Sequence, residues 1–183
     1  DLYLDLLQKT VTDLKARGTR GEQQLEEYDP EINLQISAYI PENYIVDVSQ
    51  RYVVYRRIAA LSTSEEANHQ DLMDELQDRY GNLPKETQNL FSIVALKKLL
   101  MELRINKLEK GPNTLVFSFM EDTPVSPEKL LGYLQQKTTK KNPHPPRLTP
   151  DGRLVTQAEL STIQSVFTAA KTTLSELTAL THD

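Results

Sequence analysis

The feature that most constrains the fold is a segment from Pro84 to about Leu103, in which apolar side chains cover more than one side of a helical wheel. A helix that is apolar on one side can lie on a surface, whereas one that is apolar all round must be enclosed by other elements. Lys97, Lys98 and Glu102 interrupt the segment, so it does not have the composition of a membrane span. We therefore predict a central core helix. Its apolar members are Leu90, Phe91, Ile93, Val94, Leu96, Leu99, Leu100 and Leu103.

Length and charge limit the possible functions. The chain has 183 residues and no cysteine, which suits one domain of good size or two small ones, and excludes thiol catalysis and zinc-thiolate sites. The formal net charge is -5 at pH 7, so the overall field repels phosphate backbones and a nucleic-acid role would need a local basic patch. No signal-peptide pattern is present at the N-terminus, and we expect a soluble, intracellular protein with no membrane partner.

Changes in hydrophobic period mark the elements of the N-terminal half. The chain begins within an apolar helical pattern and without methionine, so we expect a fragment of a longer protein, with a first helix ending near Gly18. Residues 19–31 are polar and predict a linker, and alternation over residues 32–37 predicts a strand. Helical spacing returns from Asp47. The stripe predicted for this helix comprises Val48, Tyr52, Tyr55 and Ala59.

The next helix has clear start and stop signals. Ser62 and Glu65 have the spacing of a capping box, and Gly81 predicts the end of the helix. Pro84 suits the first turn of the central helix, because a proline there lacks only an N–H that would have no intrahelical partner. The predicted apolar face consists of Leu72, Met73, Leu76 and Tyr80.

The C-terminal half mixes strands and helices. We predict strands at residues 105–109 and 114–119, a short helix over residues 126–137 and a small hairpin at residues 148–155. Elements therefore come in runs rather than in strict strand-helix alternation. The predicted fold class is α+β, a helix-rich domain with a small mixed or antiparallel sheet and a long C-terminal amphipathic helix.

That final helix carries a continuous apolar seam. Thr156 and Glu159 have capping-box spacing and predict its start. The seam either packs on this domain or is offered to a partner. Its members are Leu160, Ile163, Phe167, Ala170, Leu174 and Leu177.

Motifs for catalysis and cofactor binding are missing from the sequence. Neither GxxxxGK[ST] nor GxGxxG occurs, and the serines lack a GxSxG context. His69, His144 and His182 have no partner at the spacing of a metal ligand or catalytic base. We expect no catalytic residue, no cofactor and no metal in this chain.

The helix before Gly81 has a strongly acidic side. Asp71, Asp74, Glu75 and Asp78 fall opposite its apolar face. Like charges four residues apart destabilise an isolated helix by about a few tenths of a kcal/mol per pair, and Asp78 also faces the negative end of the helix dipole. Acidic surface can simply aid solubility. The alternative is that these charges meet a basic partner.

Two basic groups support a different function. One lies on the helix from Asp47, the other around a proline-rich loop, and the loop group has only Tyr133 as a neighbouring aromatic residue. Weak phosphate contact is therefore possible, whereas base stacking is not indicated. The basic residues are Arg51, Arg56, Arg57, Lys137, Lys140, Lys141 and Arg147.

Two sequence blocks resemble a known family. The stretch ISAYIPENYIVDVSQRYVVYRRIAALSTSEE, followed by DELQDRYGNLPKETQNLF, is similar to the C-terminal domain of the bacterial transcription-repair coupling factor family. The opening DLYLDLL is similar to the segment that leaves the second motor lobe in that family. Residues matching the first block are Ser37, Ala38, Ile40, Pro41, Tyr44, Ile45, Asp47, Arg51, Tyr55, Arg57 and Ala59, and those matching the second are Glu75, Leu76, Asp78, Arg79, Gly81, Leu83 and Pro84.

The resemblance implies a parent that is a large ATP-driven DNA translocase in the bacterial cytoplasm. Such a parent acts on stalled RNA polymerase and duplex DNA, recruits the excision-repair protein UvrA, and holds ATP and Mg²⁺ in motor domains outside this chain. The C-terminal domain of the family is a non-catalytic clamp that masks the N-terminal UvrA-binding module until polymerase is engaged. The implied division is residues 1–31 as a helix and linker leaving the motor, and residues 32–183 as the regulatory domain.

The resemblance also assigns a binding role to the acidic helix. The acidic pair that faces arginines of the masked module in the family falls on Glu75 and Asp78, while Asp71 and Asp74 share their side of the helix by geometry. We expect these carboxylates to be unpaired on this domain because their partners lie on another, and we expect no direct nucleic-acid binding. The alternative function is an accessory nucleic-acid-binding domain that uses the basic residues of the 51–57 helix and the 137–147 loop.

Overall fold

The computed structural model describes residues 28–182, which divide into two compact units. The first unit contains residues 28–29 and Ser37–Lys98, and the second contains Pro30–Ile36 and residues 99–182. The helix predicted before Gly18 and most of the predicted linker lie outside the described residues. The division of the chain at residue 31 into motor-derived and regulatory parts stays a prediction.

The described residues form five helices and five strands. The helices are α1 (Val48–Ala60), α2 (His69–Tyr80), α3 (Lys85–Glu102), α4 (Pro127–Lys137) and α5 (Ile163–Thr178). The strands are β1 (Glu31–Asn33), β2 (Ile105–Lys110), β3 (Thr114–Phe119), β4 (Arg147–Leu148) and β5 (Arg153–Gln157). The predicted α+β class, including the amphipathic C-terminal helix, is confirmed. None of these helices is both long and apolar enough to span a membrane.

Helix α1 begins where Asp47 caps it, because the Asp47 carboxylate accepts a hydrogen bond from the backbone N–H of Gln50. The predicted stripe is only half right, since Tyr55 and Ala59 are buried whereas Val48 and Tyr52 are exposed. The helix packs through a face that also includes Val54 and Ile58, and this rotates Tyr52 away from the core. Tyr55 is fixed further by its hydroxyl, which accepts a hydrogen bond from the buried N–H of Ile40 at 2.7 Å.

Helix α2 begins later than its sequence signal indicated. Asn68 is the N-cap, and its side-chain oxygen accepts hydrogen bonds from the N–H groups of Gln70 and Asp71. The capping box predicted at Ser62 and Glu65 is wrong, because Ser62 is buried and donates its hydroxyl hydrogen to the carbonyl of Ala59, in the turn that follows α1.

The end of α2 agrees with the sequence. Gly81 follows the helix with a φ of 91°, a left-handed conformation that favours glycine, and its N–H donates to the carbonyl of Gln77. Leu72 and Leu76 form the buried side of α2, while Met73 and Tyr80 are half-buried.

Helix α3 is the predicted core helix, and Pro84 immediately precedes it. Leu99 is half-buried. The basic residue Lys97 is also buried, and it contacts Asp29. The sequence does not indicate this burial, because a lysine within an apolar pattern is expected to face solvent. The buried apolar residues of α3 are Leu90, Phe91, Ile93, Val94, Leu96 and Leu100.

The second unit contains a five-stranded mixed sheet in the order β1-β2-β3-β5-β4. Strand β1 pairs in parallel with β2, and the other three pairings are antiparallel. The first strand is shorter than predicted because Gln35 adopts a left-handed φ of 58° and interrupts the extended backbone. Alternating burial nevertheless continues through Leu34 and Ile36.

Helix α5 is capped at a different site from the one predicted. Thr162 and Ser165 form the capping box, whereas Thr156 lies in β5 and donates its hydroxyl hydrogen to the carbonyl of Leu115. The seam is buried at Ala170, Leu174 and Leu177, and Val166 is buried with them. Ile163 remains exposed and Phe167 is half-buried.

Candidate protein-interaction surface

The exposed side of α2 carries the four carboxylates singled out in the sequence. Asp71, Asp74, Glu75 and Asp78 are all exposed, opposite the buried side chains of the same helix, and we call this group the acidic face. The structure therefore brings the four predicted residues together on one surface of the first unit. Their role in binding stays a prediction.

Glu75 has a partner on the same unit. Arg57, in the last turn of α1, donates a hydrogen bond through Nη1 to Glu75 Oε2. This hydrogen bond, supported by the charges of Arg57 and Arg79, lowers the pKa of Glu75 below its ordinary value. The premise that this carboxylate is unpaired is therefore wrong. Arg57 lies on another helix, so no pattern of spacing within α2 could have indicated the pair.

The other three carboxylates differ in their engagement. Asp74 accepts a hydrogen bond from the side-chain amide of Gln70 at 2.8 Å. Asp71 lies in the first turn, where the helix dipole favours negative charge. Asp78 lies in the unfavourable last turn, and within residues 28–182 its carboxylate makes no hydrogen bond or ion pair. Asp78 is thus the member of the acidic face best placed for an external cation.

Two tyrosines hold the C-terminal end of α2 in place. The hydroxyl of Tyr44 donates to the carbonyl of Gly81 at 2.8 Å and also lies 3.2 Å from the carbonyl of Leu76. The pKa of Tyr44 is raised above its ordinary value. Burial is the larger cause, and the nearby Tyr80 is the smaller one. The hydroxyl of Tyr80 donates to Gln50 on α1 at 3.1 Å. The acidic face is therefore carried by a helix whose last turn is fixed.

The arginines of α1 do not form a common phosphate site. Arg51 donates to the carbonyl of Ile45 at 2.9 Å, and the guanidinium of Arg56 lies 5.8 Å from the centre of the Tyr52 ring. Arg57 is engaged by Glu75. Two of the three are thus occupied by oxygen atoms of the same unit, which weakens the case for nucleic-acid binding here.

The basic residues around the loop of the second unit also differ from one another in their contacts. Lys137 pairs with Glu176 at 3.5 Å and lies 5.6 Å from the centre of the Tyr133 ring. Lys140, Lys141 and Arg147 are exposed, and Arg147 belongs to β4. Among the described residues, Lys137 is the member of this group that has a carboxylate partner.

The second unit has a cavity of about 550 Å³, lined mainly by apolar side chains such as Phe119, Leu130 and Leu148. Two carboxylates, of Glu121 and Asp151, lie on its lining. Hydrogen bonds from Thr149 and Arg153 hold the pKa of Asp151 below its ordinary value, so this group is not prepared to act as an acid near neutral pH. Within the described part of the chain, no three metal-ligating side chains converge.

Comparison with known proteins identifies similar domains. Residues 34–130 match the family model of the TRCF domain, and this range includes the whole acidic face. The transcription-repair-coupling factor of Myxococcus xanthus is 33% identical over 178 residues, covering 97% of this chain and 14% of that protein. The protein of the same name from Escherichia coli K12 is 34% identical over 136 residues, covering 74% of this chain and 12% of that protein.

The fold agrees with a solved structure. The crystal structure of the C-terminal domain of transcription-repair coupling factor superposes with a TM-score of 0.67 and 21% sequence identity. The superposed region covers 84% of this chain and 94% of the chain in the crystal structure. The family resemblance seen in the sequence is thereby confirmed, and this chain spans only a small part of its full-length relatives.

Proposed function

The chain belongs to the TRCF domain family, and we propose that it is a non-catalytic regulatory domain of a DNA translocase that acts in transcription-coupled nucleotide excision repair. Its role is to mask the UvrA-binding N-terminal module of the same protein until RNA polymerase is engaged. The observation that supports this role is the acidic face of α2, which is exposed and lies on a helix held at its C-terminal end.

The acidic face suits a surface of arginines. Asp78 has no partner in residues 28–182, and Glu75 has one that is itself exposed. Arginine and carboxylate groups form bidentate, charge-assisted hydrogen bonds whose geometry requires the carboxylates to stand at fixed positions. The hydrogen bonds of Tyr44 and Tyr80 meet that requirement by securing the last turn of α2.

The Arg57–Glu75 pair fits a mask that must also open. Exposed ion pairs contribute little to stability, because both groups are well solvated when apart. An arginine of the module can therefore replace Arg57 at Glu75 with little loss to the fold. Arg57 then orients the Glu75 carboxylate while the surface is open.

In this proposal, the motor activity belongs to other parts of the parent protein. The curated relatives are about seven to eight times longer than the parts that this chain matches, since those parts are 14% and 12% of their length. ATP and Mg²⁺ belong to motor domains of the cytoplasmic parent, which engages RNA polymerase, UvrA and duplex DNA. The domain described here acts on another part of the same protein and on no substrate.

The test is titration of the 183-residue chain with the N-terminal UvrA-binding module at low and physiological salt. We expect binding that weakens as salt rises, and at least a tenfold loss of affinity for the chain that carries both Glu75→Gln and Asp78→Asn. These substitutions keep the shape of the side chains and remove their charge. Glu65→Gln with Glu66→Gln is the matched control, because both glutamates are exposed elsewhere in the first unit.

A second measurement tests the mask in the full-length protein that carries this domain. There, Glu75→Ala with Asp78→Ala should leave the domain folded and raise the affinity for UvrA. Unchanged UvrA affinity in a folded double variant would contradict the proposed function. So would equal losses of module binding in the Glu75/Asp78 variant and its control.

A further inference from the structure

The outer surface of α1 exposes an unusual cluster of apolar side chains. In the part of the chain that the structure describes, four of the seven exposed large apolar residues lie within residues 46–53. Their exposed fractions are 79% for Val46, 68% for Val48, 47% for Tyr52 and 51% for Val53. Single exposed apolar residues are common, but a contiguous group typically marks a site of interaction. Val46 precedes the helix, and we call the other three residues, together with Arg56, the outward face of α1.

The outward face has two chemically different ends. Residues four apart lie in rows along a helix, so Val48, Tyr52 and Arg56 form one row and Val53 leads to Arg57 in the next. The apolar side chains lie towards the N-terminus of α1 and the two arginines towards its C-terminus. The second row ends at the Arg57–Glu75 pair and is therefore continuous with the acidic face of α2.

Arg56 gives the outward face a charge that is not neutralised. Its guanidinium lies 5.8 Å from the centre of the Tyr52 ring, and within residues 28–182 it makes no ion pair. Arg56 is half-buried, and contact with the face of an aromatic ring does not use the N–H groups of a guanidinium as hydrogen-bond donors. A carboxylate is the group that would complement it.

We propose that the outward face of α1 is the second half of the surface that binds the N-terminal module, and that it receives an apolar strip of that module with a carboxylate opposite Arg56. This inference rests on the proposed function. It adds a contact of opposite chemistry, in which the acidic face receives arginines and the outward face receives apolar side chains and one negative charge. Apolar contact gives the mask an affinity that salt does not screen.

A second copy of this chain fits the outward face poorly. Closed dimers pair the same patch on both subunits around a two-fold axis. An antiparallel arrangement would place the Val48 end of one helix against the Arg56 end of the other, and a parallel one would bring the two Arg56 side chains together. The parallel arrangement supplies no carboxylate for Arg56, and the antiparallel one offers only Asp47, whose carboxylate already caps α1 by accepting from the N–H of Gln50. A different partner surface is therefore favoured.

The experiment is NMR-monitored titration of the 183-residue chain with the N-terminal module, up to concentrations on the order of the millimolar values that a short tether supplies. The test variant carries Val48→Ser and Val53→Ser. The matched control carries Leu131→Ser and Ile163→Ser, which remove apolar groups of similar exposure from the second unit. We expect at least tenfold weaker binding for the test variant only, with an unchanged salt dependence. Arg56→Gln should weaken binding and reduce the salt dependence.

The outcomes separate this inference from the proposed function. Binding that needs Glu75 and Asp78 but is the same for the test variant and the control overturns the inference and leaves the proposed function standing. Binding that needs Val48 and Val53 but not the carboxylates supports the outward face and overturns the role of the acidic face. Absence of any binding by the unsubstituted chain overturns both.

Self-association provides the remaining outcome. If sedimentation shows that the unsubstituted chain dimerises, and Val48→Ser with Val53→Ser abolishes the dimer without changing module binding, the occupant is a second copy and the inference is overturned. A monomeric chain with a test variant that loses module binding supports it.

Discussion

Two ion pairs of the first unit contrast in their surroundings. The side chains of Arg57 and Glu75 are 46% and 48% exposed, whereas those of Lys97 and Asp29 are 5% and 26% exposed. Asp29 Oδ1 is buried and has no hydrogen bond of good geometry among the described residues, so the charge of Lys97 is what compensates it. The same chemistry is therefore exchangeable at the surface and structural in the interior.

The largest expected effect is on the interior pair. Lys97→Met should lower the free energy of unfolding by about 2 to 4 kcal/mol, because removal of one partner leaves a charge poorly compensated, while the partial exposure of Asp29 moderates the loss. Urea denaturation measures it. Lys98→Met, at the neighbouring half-buried position, is the control. Equal free energies of unfolding for the two variants would contradict the contrast between the two ion pairs. Asp29→Asn added to Lys97→Met should restore part of the lost stability, because it removes the uncompensated charge.

A neutral buried contact should give the next largest effect. Tyr55→Phe removes the acceptor of the buried Ile40 N–H and should lower the free energy of unfolding by about 1 to 3 kcal/mol. Tyr52→Phe, at an exposed position of the same helix, should have little effect. If Tyr55→Phe is as stable as the unsubstituted chain, burial does not determine how much stability is lost when a hydrogen bond of this unit is removed.

The exposed pair should respond mainly in its titration. Arg57→Gln should raise the pKa of Glu75 towards its ordinary value, and Arg79→Gln should raise it less, since the Arg57 hydrogen bond is the main cause of the lowering. Carboxyl-carbon NMR measures both values. A lowered pKa stabilises the fold above the unfolded-state pKa and loses that effect as pH falls through the folded-state value. The stability difference between Arg57→Gln and the unsubstituted chain should therefore vanish at acid pH, and an unshifted Glu75 in Arg57→Gln would contradict the pairing.

The smallest effect is expected for exposed bases without carboxylate partners. Substitution of Lys140 and Lys141 by glutamine should leave stability unchanged, and duplex DNA should bind neither form measurably at physiological salt. Fluorescence anisotropy at low and physiological salt checks this. Binding that falls steeply with salt and is lost on substitution would instead support the accessory nucleic-acid-binding function.

Sequence reasoning succeeded where the signal was local. The amphipathic pattern of α2 and its stop at Gly81 depend on residues within a few turns, and both are present in the structure. It failed twice on capping boxes, at Ser62 and at Thr156, because a suitable spacing does not fix where the backbone turns. The α+β class followed from the order of periodic segments, whereas the short β1 depended on the left-handed Gln35.

The candidate site was predicted in part for the same reason. Exposure of the four carboxylates follows from their position opposite the buried side of one helix. The Arg57–Glu75 pair joins two helices, and the burial of Lys97 depends on Asp29, far away in sequence, so neither could be found by periodicity. Helical spacing predicts that Val48 and Tyr52 belong to the core stripe, so it gives no sign of the outward face on which they are exposed.

Because Arg57 belongs to α1 and Glu75 to α2, the pair links the two surfaces energetically. A cation that takes Glu75 from Arg57 releases a second guanidinium beside Arg56, and the C-terminal end of α1 then attracts negative charge more strongly. On the proposed interface, occupation of one face would therefore favour occupation of the other, and by linkage the coupling would be reciprocal. Because the pair is exposed, the coupling it carries is small.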